Sequence, residues 1–260
     1  MVEVGHGDGR PVLFLSDAHL GSGADSLERE RQLCALLGEA AGRCQAVFLL
    51  GDIFDFWFTY RHVVPRGHVR LLGRLAELSD SGVGIHFFIG NHDMWVFDYL
   101  QGEVGAATYS EPELFLIGGR RFLVGHGDGL GHLDKGFDFM RGVFRSRFNQ
   151  RLFAALPSSL TFPIARRWSD NNKLRHERQD SLHYLGDDRE GIVVYCRQRL
   201  EAEPIDYCVF GHRHTPLVMP LGEGCTYVNT GDWLIGRNYA EYSPTDHTLC
   251  LYDYQKGRIG

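Results

Sequence analysis

The stretch Val12-Leu-Phe-Leu-Ser-Asp-Ala-His19 decides how this chain is read. Four consecutive apolar residues are too few for a helix and match a strand buried on both faces. The run ends in an aspartate and a histidine, which places both on a sheet rim, where open α/β folds keep their sites. Four further runs end the same way: Val47-Phe-Leu-Leu-Gly-Asp52, His86-Phe-Phe-Ile-Gly-Asn-His-Asp93, Phe122-Leu-Val-Gly-His-Gly-Asp128 and Cys208-Val-Phe-Gly-His-Arg-His214. D-x-H, G-D and H-x-H are common one at a time. Five such endings in series, all on β-like runs, point to one convergent site. Carboxylate, amide oxygen and imidazole suit hard-to-borderline divalent ions, and no thiolate lies in any of the motifs. Two such ions about 3.5–4 Å apart would clamp a phosphate, so the expected chemistry is metal-assisted phosphoester hydrolysis.

Working outward, the first strand, Val12 to Ser16, is followed by an amphipathic helix from about Asp25 to Ala41, with Gly42 beyond its end. A strand from Ala46 to Leu50 leads to a second helix carrying Val69, Leu72, Leu75 and Leu78 on its apolar face, and then to a strand from Gly84 to Ile89. This alternation is that of a layered α/β sheet. A hairpin over Leu114–Ile117 and Arg121–Val124 leads to His126. The closing strands are Tyr207–Phe210, Thr226–Asn229 and Thr248–Tyr252, preceded by a helix from Gly191 to Glu201.

Between these halves lies a different segment. Phe137, Met140, Phe144, Phe148, Leu152 and Ala155 recur at helical spacing, interleaved with Arg141, Arg145, Arg147 and Arg151, until Pro157 stops the helix. A more polar helix is expected from Ile164 to about Leu185. From Phe137 to Arg178 the chain carries nine basic and three acidic residues, inside a protein of net charge −6. Seven aromatics in this block suit a ligand with an anionic head and an apolar tail. An ordinary amphipathic pair docked on the core would show the same pattern. The expected organisation is one domain over residues 1–260, with a helical lid inserted at about 137–186.

Several classes drop out. The acidic balance outside the insertion gives no extended basic groove for nucleic acid. No apolar run reaches the length of a membrane span, and no secretory signal is visible at the N-terminus. Six scattered cysteines without a CxxC pair read as reduced thiols in a cytosolic protein.

With these motifs in place, the chain resembles the calcineurin-like metallophosphoesterases. That resemblance implies an α/β (α+β layered) fold, a β-sandwich flanked by helices. It implies one metal held by Asp17, His19, Asp52 and His214, and a second held by Asp52, Asn91, His126 and His212, with Asp52 bridging. His92 would contact the scissile phosphate or protonate the leaving group, oriented by Asp93. Mn²⁺ is the expected metal, with Fe²⁺ or Zn²⁺ as alternatives.

Within that family, Gly51-Asp-Ile-Phe-Asp-Phe-Trp57, the run from His126 to Lys135, and Gly211-His-Arg-His-Thr-Pro216 are similar to the UDP-2,3-diacylglucosamine pyrophosphatases of lipid A biosynthesis. The resemblance implies an amphipathic nucleotide-sugar lipid as substrate and peripheral contact with the cytoplasmic face of the inner membrane. By position, Asn91, His92, Asp134, Lys135, Asn171 and Lys173 would bind the substrate. The best-known proteobacterial form has Arg where this chain has His92. Another nucleotide or phospholipid phosphoester therefore stays open as substrate, and a non-catalytic metal-bearing scaffold stays open as the remote alternative. Oligomeric state is left open as well.

Overall fold

Two β-sheets packed face to face, each with helices on its outer side, carry the site on one rim. The structure is a computed structural model that describes residues 1–5, 9–131, 142–144, 146–164, 167, 184, 186 and 189–260. In chain order the elements are β1 (Val2–Val4), β2 (Val12–Leu15), α1 (Ser26–Ala40), β3 (Ala46–Leu49), α2 (Val69–Asp80), β4 (Gly84–Phe88), α3 (Tyr99–Val104), β5 (Ala107–Tyr109), β6 (Glu113–Ile117) and β7 (Arg120–Gly125). They continue as α4 (Arg147–Ala155), α5 (Gly191–Ala202), β8 (Tyr207–Phe210), β9 (Pro216–Pro220), β10 (Thr226–Thr230), β11 (Asn238–Ser243), β12 (Thr248–Asp253) and β13 (Gly257–Arg258).

One sheet runs β1-β6-β7-β8-β10-β9 and the other β13-β12-β11-β2-β3-β4-β5. β2, β3, β4 and β5 are parallel neighbours, as are β7 and β8. Parallel strands need helical crossovers, which α1, α2 and α3 supply on one outer face. This explains the short continuous apolar runs. In β2, Leu13 and Leu15 face the helices while Val12 and Phe14 face the opposite sheet. Between the sheets, Phe14 stacks on Phe48 and Phe122 at 4.9 and 5.9 Å, and Phe48 meets Phe115 edge-to-face at 5.0 Å. On the other outer face α5 covers Leu123, Cys208 and Phe210.

The main elements fall within a residue or two of their expected bounds, with differences in packing. Val69, expected on the apolar face of α2, is 75% exposed, and Leu71, Leu75 and Leu78 are the buried set. Within its described part the helix expected to run through Ala155 is interrupted: residues 142–144 are helical, and Ser146, in extended conformation, begins α4 anew. A helical stretch covers 158–164, and most of the helix expected from Ile164 to about Leu185 lies outside the described residues. Pro157 caps the 158–164 stretch, its carbonyl accepting the N–H of Leu160 and Thr161.

Among the described residues of the insertion, Phe153 and Phe162 dock on the core. Phe153 packs 4.9 Å from both Phe58 and Trp95, and Phe162 packs 5.2 Å from Phe56. Trp95 Nε1 donates to the Phe144 carbonyl at 2.9 Å, and the Tyr60 and Thr161 hydroxyls pair at 2.8 Å. The other side is a stripe of Phe148, Leu152, Leu156, Leu160 and Ile164, at every fourth residue, all exposed. The reading of the block as docked on the core therefore holds for Phe153 and Phe162.

Candidate metal centre

Each of the five apolar runs delivers its polar end to the same rim. The loops leaving β2 and β3 are stitched together by Asp17 N–H to Gly51 O at 3.0 Å and His19 N–H to Asp52 O at 2.9 Å. Asp17, His19 and His214 form one group, with a ligand atom of each within 4.8 Å of the others. Asp52, His126 and His212 form another on the same criterion. Asp52 lies between them: its Oδ2 is 3.5 Å from His126 Nε2 and 3.9 Å from His19 Nε2. Asn91 joins the second group, its Oδ1 3.4 Å from His126 Nε2. Asp128 is buried nearby but belongs to neither group.

The backbone at these positions is strained in one consistent way. Among the described residues nine non-glycine positions have left-handed φ, and five of them are Asp17, His19, Asp52, His212 and His214, with φ from 42° to 67°. Side-chain-bearing residues adopt this region rarely and at a cost, and such strain collects at functional sites. The glycines beside them serve mainly close approach. A Cβ on Gly211 would lie 2.5 Å from Ser16 Oγ and 2.8 Å from Asp17 Oδ2, and one on Gly51 would lie 2.6 Å from His126 Nδ1.

Hydrogen bonds divide each carboxylate between support and site. His92 N–H donates to Asp52 Oδ1 at 2.8 Å, and His212 N–H donates to Asp17 Oδ2 at 2.9 Å. The other oxygen of each then faces the imidazoles. His126 Nδ1 lies 2.7 Å from the Leu50 carbonyl and must donate to it, which fixes the ring and turns Nε2 to the site. Asp17 Oδ1 and both ring nitrogens of His19 are buried without a hydrogen bond. Buried polar atoms are rarely left so, and an all-oxygen-and-nitrogen donor set of this kind fits a divalent cation.

The charges follow from that crowding. Burial pushes His19 down to about 3, so its imidazole is neutral and able to ligate. Burial likewise raises Asp17. For Asp52 burial is outweighed by His126 and His92, which hold it well below the usual carboxylate range. Burial also opposes charge on His126, and Asp52 overrides it, raising His126 well above its ordinary value.

One expectation is corrected here. Asp93 does not orient His92. Its carboxylate is fully buried and accepts the backbone N–H groups of Asp52, Ile53, Phe54 and Gly90. It therefore holds the turn that carries Asp52. Burial and the Asp52 charge push this carboxyl up to about 7, against those amide donors. The group facing His92 is Asp55, to which the sequence reading gave no role. Its carbonyl is 3.1 Å from His92 Nδ1, and its Oδ1 is 3.7 Å from that nitrogen and 3.6 Å from His19 Nδ1. The spacing Asp52-x-x-Asp55 was the available sign. Asp232 was also missed: Oδ2 lies 4.0 Å from His214 Nδ1, and Oδ1 takes the Gly236 N–H at 3.0 Å. Asp134, Lys135, Asn171 and Lys173 lie outside the described residues.

A sandwich of this topology with an oxygen-and-nitrogen rim of Asp, Asn and His is the architecture of a metal-dependent phosphoesterase. Residues 10–216 match the calcineurin-like phosphoesterase family, and the chain belongs to that family. It is a metal-dependent hydrolase. A UDP-2,3-diacylglucosamine hydrolase of Porphyromonas gingivalis is 36% identical over 253 residues, covering 92% of this chain and 96% of that protein. Proteins of the same name from Klebsiella pneumoniae (27% over 246 residues, 94% and 99% covered) and Escherichia coli (30% over 210 residues, 81% and 84% covered) are also similar.

Proposed function

We propose that this chain hydrolyses the pyrophosphate of UDP-2,3-diacylglucosamine, giving UMP and 2,3-diacylglucosamine 1-phosphate in lipid A synthesis. The activity named for its relatives motivates the substrate. The carrying observation is a cavity of about 600 Å³ that opens beside Asp55, the residue facing both His19 and His92. Its walls include Leu20, Phe56, Tyr60, Val63, Val64 and Phe162, with Arg66 and His68 among them. A largely apolar chamber touching a metal-type cluster suits a substrate with acyl chains at one end and phosphates at the other.

The roles follow from the geometry. Asp17, His19, Asp52 and His214 would hold one divalent cation, and Asp52, Asn91, His126 and His212 the other, with Mn²⁺ the proposed metal. Bound there, the two ions would supply Lewis-acid charge to the phosphoryl group and acidify water at the site. Asp52, placed between the groups, sets their spacing. The contact between His92 Nδ1 and Asp55 fixes the ring, so proton delivery to the leaving oxygen runs through Nε2. Asp93 keeps the Asp52 turn in place through its amide contacts.

Peripheral membrane contact belongs to the same proposal. No helix among the described residues is long and apolar enough to cross a membrane. The exposed stripe from Phe148 to Ile164, flanked by Arg147 and Arg151, suits the surface of an anionic bilayer.

The test is hydrolysis of UDP-2,3-diacylglucosamine by Mn²⁺-loaded protein, with products read by mass spectrometry beside the deacylated UDP-sugar. UMP and diacyl sugar phosphate formed from the acylated compound alone support the proposal. Turnover of a generic phosphodiester without turnover of this substrate sinks the substrate assignment and keeps the two-metal chemistry.

A further inference from the structure

Arg29 stands on the first turn of α1, in the stretch Ser26-Leu-Glu-Arg-Glu-Arg31 that reads as a solvated helix face, yet it is 1% exposed. Its guanidinium is spent entirely on the turn that follows β2. Nε donates to the Ala18 carbonyl at 3.3 Å, and Nη2 donates to the His19 carbonyl at 3.2 Å and also to that of Ser22. Nη1 meets Asp25 Oδ1. The Arg29 carbonyl in turn accepts Trp233 Nε1–H at 3.2 Å, and Trp233 N–H lies on the Ser16 and Asp17 carbonyls at 3.1 and 3.2 Å.

His19 is the residue this arrangement surrounds. It has φ of 42°, its N–H is held by Asp52 O, and the carbonyls of Ala18 and His19 are held by Arg29. Both peptide groups flanking its Cα are therefore tethered. The ring nitrogens make no hydrogen bond, and beside Nδ1 stands the Asp55 carboxylate, 3.6 Å away. The direction of the imidazole is thus set by the tethered main chain together with Asp55. The second group, Asp52, His126 and His212, makes no contact with Arg29.

We infer that Arg29 is a positioning residue for the metal site formed by Asp17, His19 and His214, and not for the site formed by Asp52, His126 and His212. The inference rests on the two-metal reading above. A planar guanidinium with a fixed fork of donors can serve several acceptors at once. An ammonium at that point cannot span them.

The test places Arg29→Lys in two single-site backgrounds of the full chain. His126→Ala leaves the first site, and His214→Ala leaves the second. Mn²⁺ affinity is measured by calorimetric titration and by the electron paramagnetic resonance of bound Mn²⁺. Arg29→Lys is expected to weaken Mn²⁺ binding about 10-fold or more in the His126→Ala background, as loss of an outer partner does, and to leave binding unchanged in the His214→Ala background. Asp25→Ala, at an exposed position, repeats the pattern at a smaller, few-fold size and serves if Arg29→Lys does not fold. Equal weakening in both backgrounds means general loosening and overturns the inference, as does no change in either. Wild-type protein that binds fewer than two ions overturns the metal reading itself, and the inference with it.

Discussion

The Asp55 carbonyl lies 3.1 Å from His92 Nδ1, with the Asp55 carboxylate 3.7 Å from the same nitrogen. The partner of His92 therefore comes from the loop after β3 and not from its sequence neighbour Asp93. The two carboxylates consequently fail in different ways when altered. Asp55→Asn should leave the fold and the metal content close to wild type while kcat falls roughly 10- to 100-fold, because His92 and His19 lose their outer partner. Asp93→Asn should instead lower the thermal midpoint, since an amide cannot accept from all the N–H groups the carboxylate serves. Steady-state kinetics with metal analysis and a melting curve separate the two. Matching behaviour of the variants would remove the distinction.

His86 gives a pH dependence away from the metal rim. Burial pushes its pKa down to about 4, with the ring stacked 4.3 Å from Phe48 and Nδ1 3.0 Å from the Tyr109 hydroxyl. The unfolded chain takes up a proton here near pH 6.5, whereas the folded chain resists until about 4. Stability from this residue is thus complete above pH 6.5 and is lost as the pH falls toward 4, on the order of 3 kcal/mol at most. His86→Gln should flatten the fall in urea midpoint between pH 6.5 and 4.5. Parallel curves for the two proteins would show that His86 is not the group responsible.

What was legible in the chain depended on how local the signal was. β2 and β3 are buried on both faces and β8 nearly so, so each reads as an uninterrupted apolar run with the candidate ligands at its end, while β4 carries a half-buried His86 within its run. β11, Asn-Tyr-Ala-Glu-Tyr-Ser, has no apolar run and buries Asn238 beside Ala240 and Tyr242, so the sequence does not mark it as a strand, and the short edge strands β1 and β13 are unmarked for want of length. Arg29 and Glu30 are charged residues on a helix, and nothing in the local sequence marks them as buried. They are buried because each holds another segment, Arg29 the His19 turn and Glu30 the Leu71 N–H at 3.2 Å. Asp55 was hidden for the same reason, its partners being distant in sequence. No residue pattern announces a contact that only the folded chain creates.

The outer stripe of the insertion predicts a separation of binding from chemistry. Phe148 is 74% and Leu152 57% exposed, with the exposed Arg151 between them. Neither side chain lines the cavity beside Asp55. The double change Phe148→Ser and Leu152→Ser should sharply reduce co-flotation with phosphatidylglycerol vesicles at physiological salt. Hydrolysis of substrate dispersed in detergent should stay within about 2-fold of wild type, since lost interfacial area weakens membrane binding alone. Undiminished flotation would place the membrane contact elsewhere on the molecule.

Gly90 offers the sharpest single-atom test of Asp52's position. Its φ is not in the left-handed region, so the requirement for glycine is one of space. A Cβ there would fall within the Asp52 carboxylate and 2.5 Å from the Asp52 amide nitrogen. The carboxylate cannot yield easily, because His92 N–H holds Oδ1 at 2.8 Å and Oδ2 is crowded by His126. Nor can the turn move as a whole without breaking the Asp93 contacts to Ile53 N–H at 2.8 Å and Gly90 N–H at 2.8 Å. Gly90→Ala should therefore displace the one carboxylate common to both groups. The expected result is a folded protein with reduced metal content at both sites and a loss of activity of at least ~100-fold, since misplacing a group by about 1 Å can cost that much. Metal analysis after gel filtration, read beside a circular-dichroism melt, decides it. A Gly90→Ala protein that keeps two ions and full turnover would mean that Asp52 does not have to sit where the structure puts it.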